Sequence, residues 1–292
     1  MMRLAPLQLT DEALARYAAL MAQVFPASAR LDAAYLDWLY RRNPDGLAMG
    51  FYAWHGDELV AHYACVPCYL RLQGQTVSAL LSLNTATHPD HRGQGLFTQL
   101  AQMTYEQAAA QGYAAIYGVA NAQSTPGFVR KLQFALVEPL QVLLGLPPAK
   151  VAPGALMAHT RMARAWSDAA WTWRLACPRN PVQVLSRPDG GLTCLAPSHK
   201  PGILAQATLP NGLAPRLQAG SPATGWQGWP SPLRVFVGLW PGQAMRHPLA
   251  WPLPARLRAS PLNLIYRPLG PSAPGQLSAG QTFMTFLDFD AF

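Results

Sequence analysis

The chain has 292 residues, half of them apolar, so it is not a disordered protein, and at ~150 residues per domain it has room for about two domains. Only 12% of residues are Asp, Glu, Lys or Arg, no stretch approaches the ~20 apolar residues of a membrane span, and Asp11, Glu12 and Arg16 break any apolar leader at the start. Four cysteines are too few for a disulfide scaffold, which makes the reducing cytoplasm the default compartment.

Basic residues outnumber acidic ones by 22 to 14, a net charge of +8. Of the cations, 3 are Lys and 19 are Arg. They are scattered, without the basic run that marks a nucleic-acid or membrane surface. The excess reflects either base composition or an anionic ligand.

Taken in chain order, Asp11 to Val24 reads as a helix capped by Thr10, with Leu14, Tyr17, Leu20 and Met21 on one face. Leu31 to Tyr40 is a second helix, ended by Asn43-Pro44. Strands follow over Gly50 to Trp54, Leu59 to Leu72 and Val77 to Thr87, joined by turns at His55-Gly56-Asp57 and Gly74-Gln75. Leu96 to Gln111 is a helix closed by Gly112. Ala114 to Ala120 is a strand, Pro126 to Leu132 a helix and Leu136 to Leu144 a last strand. The result is an α/β mixed sheet over residues 1–145. The Pro/Gly-rich run from Leu146 to Gly154 reads as a join. Residues 146–292 hold most of the prolines and many tryptophans. Trp38-Leu39-Tyr40-Arg41-Arg42-Asn43-Pro44 is echoed by Trp173-Arg174-Leu175-Ala176-Cys177-Pro178-Arg179-Asn180-Pro181, two residues longer. That echo points to a second lobe that is a degenerate copy of the first.

The most informative segment is Thr87-His88-Pro89-Asp90-His91-Arg92-Gly93-Gln94-Gly95-Leu96-Phe97, between a strand and a helix. Gly93 and Gly95 let the backbone turn tightly against a ligand. The helix start offers free N–H groups and a positive dipole end, a site for phosphate or pyrophosphate. The spacing matches neither a Walker loop nor a dinucleotide fingerprint. The run resembles the GNAT superfamily of acetyl-coenzyme A-dependent N-acetyltransferases, whose pattern is Val-x-Pro-x-x-Arg-Gly-x-Gly; here Thr87 replaces Val, and Phe97 departs from the usual Gly or Ala. The Leu-Phe variant is similar to GNAT proteins that carry a second, degenerate lobe.

The resemblance implies acetyl-CoA as co-substrate, with no metal. It implies that the backbone of Thr85, Ala86 and Thr87 pairs with the pantetheine arm and polarises the thioester carbonyl. The amides of Arg92, Gly93, Gln94, Gly95, Leu96 and Phe97 would hold the pyrophosphate, and Asn121 matches a position that often touches the cofactor. The family's Tyr-x-x-x-Gly-Phe segment aligns with Pro126 to Phe134. Its Tyr, the usual acid for the departing thiolate, falls on Val129, and its Gly falls on Gln133. Candidate bases are His62, Glu138 and the terminal carboxylate of Phe292. Asp37 and Trp38 lie where the family builds its acceptor pocket. The implied reaction is direct attack by a small-molecule amine on the thioester in a ternary complex, with the second lobe completing the acceptor cleft or a homodimer contact. No nucleic acid or membrane is expected as a partner. Two alternatives stand: a CoA-binding module that has lost its chemistry, and a tandem-lobe aminoacyl transferase of cell-wall type.

Three weaker patterns remain. Cys65-Val66-Pro67-Cys68 has the spacing of half a zinc site, but on a strand its thiols face opposite ways. Trp226, Trp229, Trp240 and Trp251 read as core of a β-rich lobe or as a sugar surface. Phe283 to Phe292 alternates like a half-buried strand.

Overall fold

The computed structural model describes residues 1–292 apart from 27, 29, 148, 216–230, 243, 244, 259 and 290–292. In chain order the strands are β1 Met2–Pro6, β2 Met49–His55, β3 Glu58–Leu72, β4 Gln75–Thr87, β5 Ala115–Ala120, β6 Ala135–Pro139, β7 Gln141–Gly145, β8 Lys150–Val151, β9 Met162–Arg164, β10 Gln183–Ser186, β11 Leu192–Pro197, β12 Leu204–Leu209, β13 Arg234–Leu239, β14 Met245–Arg246, β15 Ala250–Pro252, β16 Asn263–Pro268 and β17 Met284–Thr285. The α-helices are α1 Asp11–Val24, α2 Ala33–Arg41, α3 Leu96–Ala110, α4 Thr125–Lys131, α5 Pro153–His159 and α6 Asp168–Leu175.

Two mixed sheets organise the chain. The first runs β1-β2-β3-β4-β5-β16-β6, and β9 adds to the far end of β3. The second runs β10-β11-β12-β13-β7-β15, with β17 on β13. Within each sheet a single pair is parallel, β4–β5 in one and β12–β13 in the other. The strand beside that pair is antiparallel in both, β16 in the first and β7 in the second. The second sheet thus repeats the topology of the first.

The neighbour of the parallel pair is exchanged between halves. The sequence reads Leu136 to Leu144 as one strand, but the chain breaks at Leu140, whose N–H is taken by Leu262 O at 2.7 Å. β6 stays in the first sheet, whereas β7 crosses to the second. In return β16, from the far end of the chain, enters the first sheet between β5 and β6. A cut between residues 145 and 146 would therefore sever both sheets. Period-2 patterning reports a strand but not its partner.

Local signals explain most elements. Thr10 accepts from Ala13 N at 3.2 Å and caps α1, burying Leu14, Tyr17, Leu20 and Met21. Asp32 caps α2 through Tyr35 N at 2.9 Å. Pro67, inside the long β3, lies beyond the last pair with β2 at Cys65 and before the first with β9 at Leu70, so its missing N–H breaks no ladder. β1 was not legible as a strand; it forms because Met2–Pro6 finds the open edge of β2.

The echo of Trp38 at Trp173 is a physical contact. The indoles stack at 4.5 Å with planes 11° apart. Each ring N–H donates to the other residue's carbonyl, both at 2.9 Å. Asp32 lies six residues before Trp38, and Ser167, which caps α6 through Ala170 N at 3.0 Å, lies six before Trp173. α2 and α6 thus meet about a local two-fold axis.

Two expectations for the second half change. Of the four tryptophans, Trp240 is core, Trp251 is 66% exposed, and Trp226 and Trp229 lie outside the described residues. Among its described residues the tail is strand only at β17 and then turns into a 3-10 helix, Phe286–Asp288, closed by a capping box between Thr285 and Asp288. That box outcompetes the alternation.

The Trp pair gives a stability test. In a double-mutant cycle by urea unfolding, Trp38→Phe and Trp173→Phe should each cost about 1 kcal/mol through a lost hydrogen bond. Trp38→Ala and Trp173→Ala should show a coupling of about 0.5–1.5 kcal/mol from the lost stack. Additive Ala variants would mean that the stack carries no energy.

Candidate functional site

The site begins with a bulge. Along β3 and β4, Ala61 pairs with Thr87 and His62 with Ala86, and after the register shift Ala64 pairs with Leu83. Tyr63 is thus opposed by both Asn84 and Thr85, and Asn84 takes the left-handed φ of 51°. A buried chain holds it there. Asn84 Nδ2 donates to Tyr40 Oη at 3.1 Å, and Tyr40 Oη shares a hydrogen bond with His62 Nε2 at 3.0 Å. Tyr17 packs against the imidazole at 4.5 Å, with the ring planes tilted by 35°.

The bulge coincides with a parting of strands. β4 and β5 pair from Ala79–Ala115 to Ser82–Gly118 and then separate. A cavity of ≈650 Å³ opens between them, lined by Ser82 to Thr85 and Thr87 of β4, Gly118 to Ala120 of β5 and Asn121 just after it, and Phe25 and Leu31 from the α1–α2 connection. Arg92 and Phe97 lie at one end of it.

At that end stands the glycine loop. Gly93 and Gly95 have φ of 79° and 77°, which L side chains resist. Gly95 is the N-cap of α3, and no side chain caps the helix. The first-turn amides are left for a ligand, and with the helix dipole and Arg92 they form an anion site. Arg92 Nε is 3.4 Å from Thr87 O.

Phe97, the departure from the motif, has a compensating partner. A Cβ on Gly127 of α4 would lie 2.9 Å from the Phe97 ring. Phe97 also meets Phe128 edge-on at 5.1 Å. The bulk added in α3 is accommodated by glycine in α4. Gln133 keeps the backbone of the glycine that it replaces, with φ of 58°. Val129 is 36% exposed and carries no acid.

Apart from Asn121, the other residues singled out in the sequence do not converge on this cavity. Ala86 is buried behind it, and Asn121 lines it while its Oδ1 caps the turn into α4 through Gln123 N and Ser124 N. His62 is fully buried on the α1/α2 side, and burial pushes its pKa down to about 3. It reaches the cavity only through Tyr40 and Asn84. Glu138, a candidate base, does not border the cavity: β16 lies beside β5, and Glu138, one strand farther out, accepts from Gly280 N at 2.9 Å. Burial raises the Glu138 pKa and the Gly280 bond opposes it. Phe292 lies outside the described residues. Among the described lining residues there is no carboxylate or imidazole.

Asp37 and Trp38 line a different space, a groove of ≈790 Å³ between α2 and α6. It is the larger opening, but it lacks the glycine loop. Asp37 is held by Arg41 and, at 2.6 Å, by Arg42. Burial would raise its pKa, and the two guanidiniums override this and hold it below the usual carboxylate range. Its charge is already neutralised rather than free for a cationic acceptor. Cys65 and Cys68 are buried thiols whose pKa burial pushes up to about 12 and about 11. Among the described residues no three His, Cys, Asp or Glu side chains group as metal ligands, and no helix is long and apolar enough to cross a membrane.

The bulged β4, the parallel β5 and the glycine loop leading into α3 all lie within a segment that matches a known family. Residues 7–137 match the family model described as "Acetyltransferase (GNAT) domain". This segment is a GNAT domain. No curated protein sequence matches the chain. Among solved structures, a probable N-acyltransferase from Enterococcus faecalis aligns with a TM-score of 0.62 at 12% identity, over 92% of this chain and 73% of its own. A GCN5-related N-acetyltransferase from Anabaena variabilis aligns with a TM-score of 0.58 at 14% identity, over the same shares, 92% and 73%. A tandem GNAT protein of the clavulanic acid pathway aligns with a TM-score of 0.52 at 12% identity, over 93% of this chain and 99% of its own. At such identities the likeness is one of fold, and it extends through both sheets of the tandem GNAT arrangement.

Two measurements follow. Gly127→Ala should cost about 1–3 kcal/mol by overpacking, and Phe97→Leu in the same chain should recover most of it in urea unfolding. The buried His62 should make the protein acid-sensitive. Its folded pKa is depressed to about 3, so between about 6.5 and 3 the unfolded chain takes up a proton that the folded one does not. Stability should fall as pH drops through that window, and His62→Gln should flatten the slope in unfolding midpoints between pH 7 and 4.

Proposed function

We propose that the chain is an acetyl-CoA-dependent N-acyltransferase acting on a small-molecule amine. The observation that carries this reading is the parting of β4 from β5 over a cavity that ends at the free amides of Gly93 to Phe97. In this reading those amides and Arg92 hold the pyrophosphate. The pantetheine arm lies along Thr85 to Thr87 as an added strand, and β4 amides polarise the thioester carbonyl. The neutral amine nitrogen attacks that carbon, the C–S bond breaks, and the sulfur leaves as thiolate. The nitrogen's proton passes to water or to the thiolate, giving amide and free CoA thiol. With Val129 in place of the acid, the thiolate leaves unaided, which a thiol pKa of ~8.5 allows. His62 is assigned a positioning role, holding Asn84 through Tyr40, rather than that of a base. Asn121 shapes the cavity wall through its cap.

The lack of a carboxylate or imidazole among the described lining residues also favours a second reading, a CoA-binding module without chemistry. Thiol release from acetyl-CoA with a panel of amines separates the two: tight binding without release would leave the module.

The loop is tested by Gly95→Asp beside Gly95→Asn. Both side chains fit the open space there, since no atom beyond Gly95 and its chain neighbours lies within 4 Å of where a Cβ would stand, and Asn and Asp tolerate left-handed backbone. The added negative charge should weaken acetyl-CoA binding at least tenfold in calorimetric titration, and Asn much less. Equal affinities for Asp and Gly would put the pyrophosphate elsewhere.

A further inference from the structure

Between the first sheet, α2, α6 and the turn at Leu287 to Phe289 lies a small chamber, distinct from the cofactor cavity and the surface groove. It shares Leu83 with the first, and Trp38 and Trp173 with the second. Its volume is ≈40 Å³, room for about three water-sized groups. Most of its wall is apolar or aromatic, yet Arg164, Arg174 and Asp288 face it.

Asp45 and Asp288 balance the two arginines in formal charge, but the guanidinium N–H groups are incompletely matched. The Arg164 and Arg174 residues are 8% and 7% exposed. Arg164 Nη2 pairs with Asp45 at 3.1 Å, but its Nε is buried without a partner. Arg174 Nε reaches only the Leu287 carbonyl, at 3.3 Å, and its Nη1 is buried without a partner. Among the described residues Arg174 makes no ion pair. Asp288 is turned to Thr285, whose N and Oγ1 donate to its Oδ2 at 2.6 and 3.1 Å. Burial raises the Asp288 pKa, opposed by Thr285 and by the two arginines. A buried guanidinium with an unmet N–H, beside a cavity, is a costly arrangement unless something occupies the cavity.

The repeat shows that packing does not require the charge. Trp173-Arg174 matches Trp38-Leu39 across the local two-fold, and Leu39 lines the same chamber. One copy carries an apolar residue at this position and the other a cation.

We propose that this chamber binds a carboxylate group, and that the acyl acceptor is an amine that carries one. The three heavy atoms of a carboxylate fit the volume, and its planar pair of oxygens suits the guanidinium fork. Leu83 is the first residue past the last β4–β5 pair and lines both spaces, so a group anchored here is two residues along β4 from Thr85, where the thioester arm would begin. The choice of acceptor rests on the acyltransferase reading; carboxylate binding by itself does not.

Tryptophan fluorescence reads the chamber directly, because Trp38, Trp166 and Trp173 line it. The full chain is titrated with sodium acetate and with acetamide at constant ionic strength. Acetate should give a saturable change and acetamide none. Arg174→Leu, which copies the apolar choice of Leu39, should abolish the acetate response while leaving acetyl-CoA affinity within twofold. In transfer assays, amino acids should exceed their amides by at least tenfold in kcat/KM, and Arg174→Leu should reduce that preference to below threefold. Absence of a saturable acetate response, or equal kcat/KM for acids and amides, overturns the proposal while leaving acyl transfer intact. An acetate response without transfer to any amine keeps the chamber and removes the acyltransferase reading. Should Arg174→Leu not fold, the wild-type comparison of acetate with acetamide decides.

Discussion

The cavity depends on the bulge at Asn84. Without the extra residue, β4 would continue its register with β3 and stay alongside β5, and the sheet would close. With it, β4 turns away after Ser82 while β5 continues against β16. A left-handed asparagine is uncommon and must be held. Here Tyr40 holds it from α2 and is itself held by a buried imidazole. The hydrophobic packing of α1 and α2 over the sheet thereby also positions the open edge of the site.

The second constraint is the exchange of strands. Each sheet takes the neighbour of its parallel pair from the other half of the chain, β16 into the first and β7 into the second. Neither sheet is complete without the other segment, which ties the halves together more firmly than a surface contact. The local two-fold passes near Trp38 and Trp173, where two copies of one motif donate to each other. The chamber with Arg164 and Arg174 lies where the repeat stops being symmetric.

Charge is used sparingly in this apolar chain. The glycine loop relies on amides, a helix dipole and one arginine rather than a basic cluster. Asp37 and Asp45 are each spoken for by arginines. Many of the arginines that give the net +8 serve as structural partners, which the count alone could not reveal.

Local chemistry by itself determined much of this protein. Thr10 announces its helix, Gly93 and Gly95 mark the left-handed loop, and the Trp38/Trp173 echo reports the repeat, because each motif is read from residues a few positions apart. Three things lay beyond it. Strand partnership depends on which edge is free, so β1, the break at Leu140 and the insertion of β16 were decided by the sheets, and Glu138 was displaced with them. The direction in which a side chain faces at a bulge is set across strands, so His62 fell behind the cavity and Asn84 was overlooked. Arg164, Arg174 and Asp288, drawn from both ends of the second half, meet only when the whole chain folds. Sequence encodes the local backbone preferences; long-range pairing decides which groups share a space and which are buried without a partner.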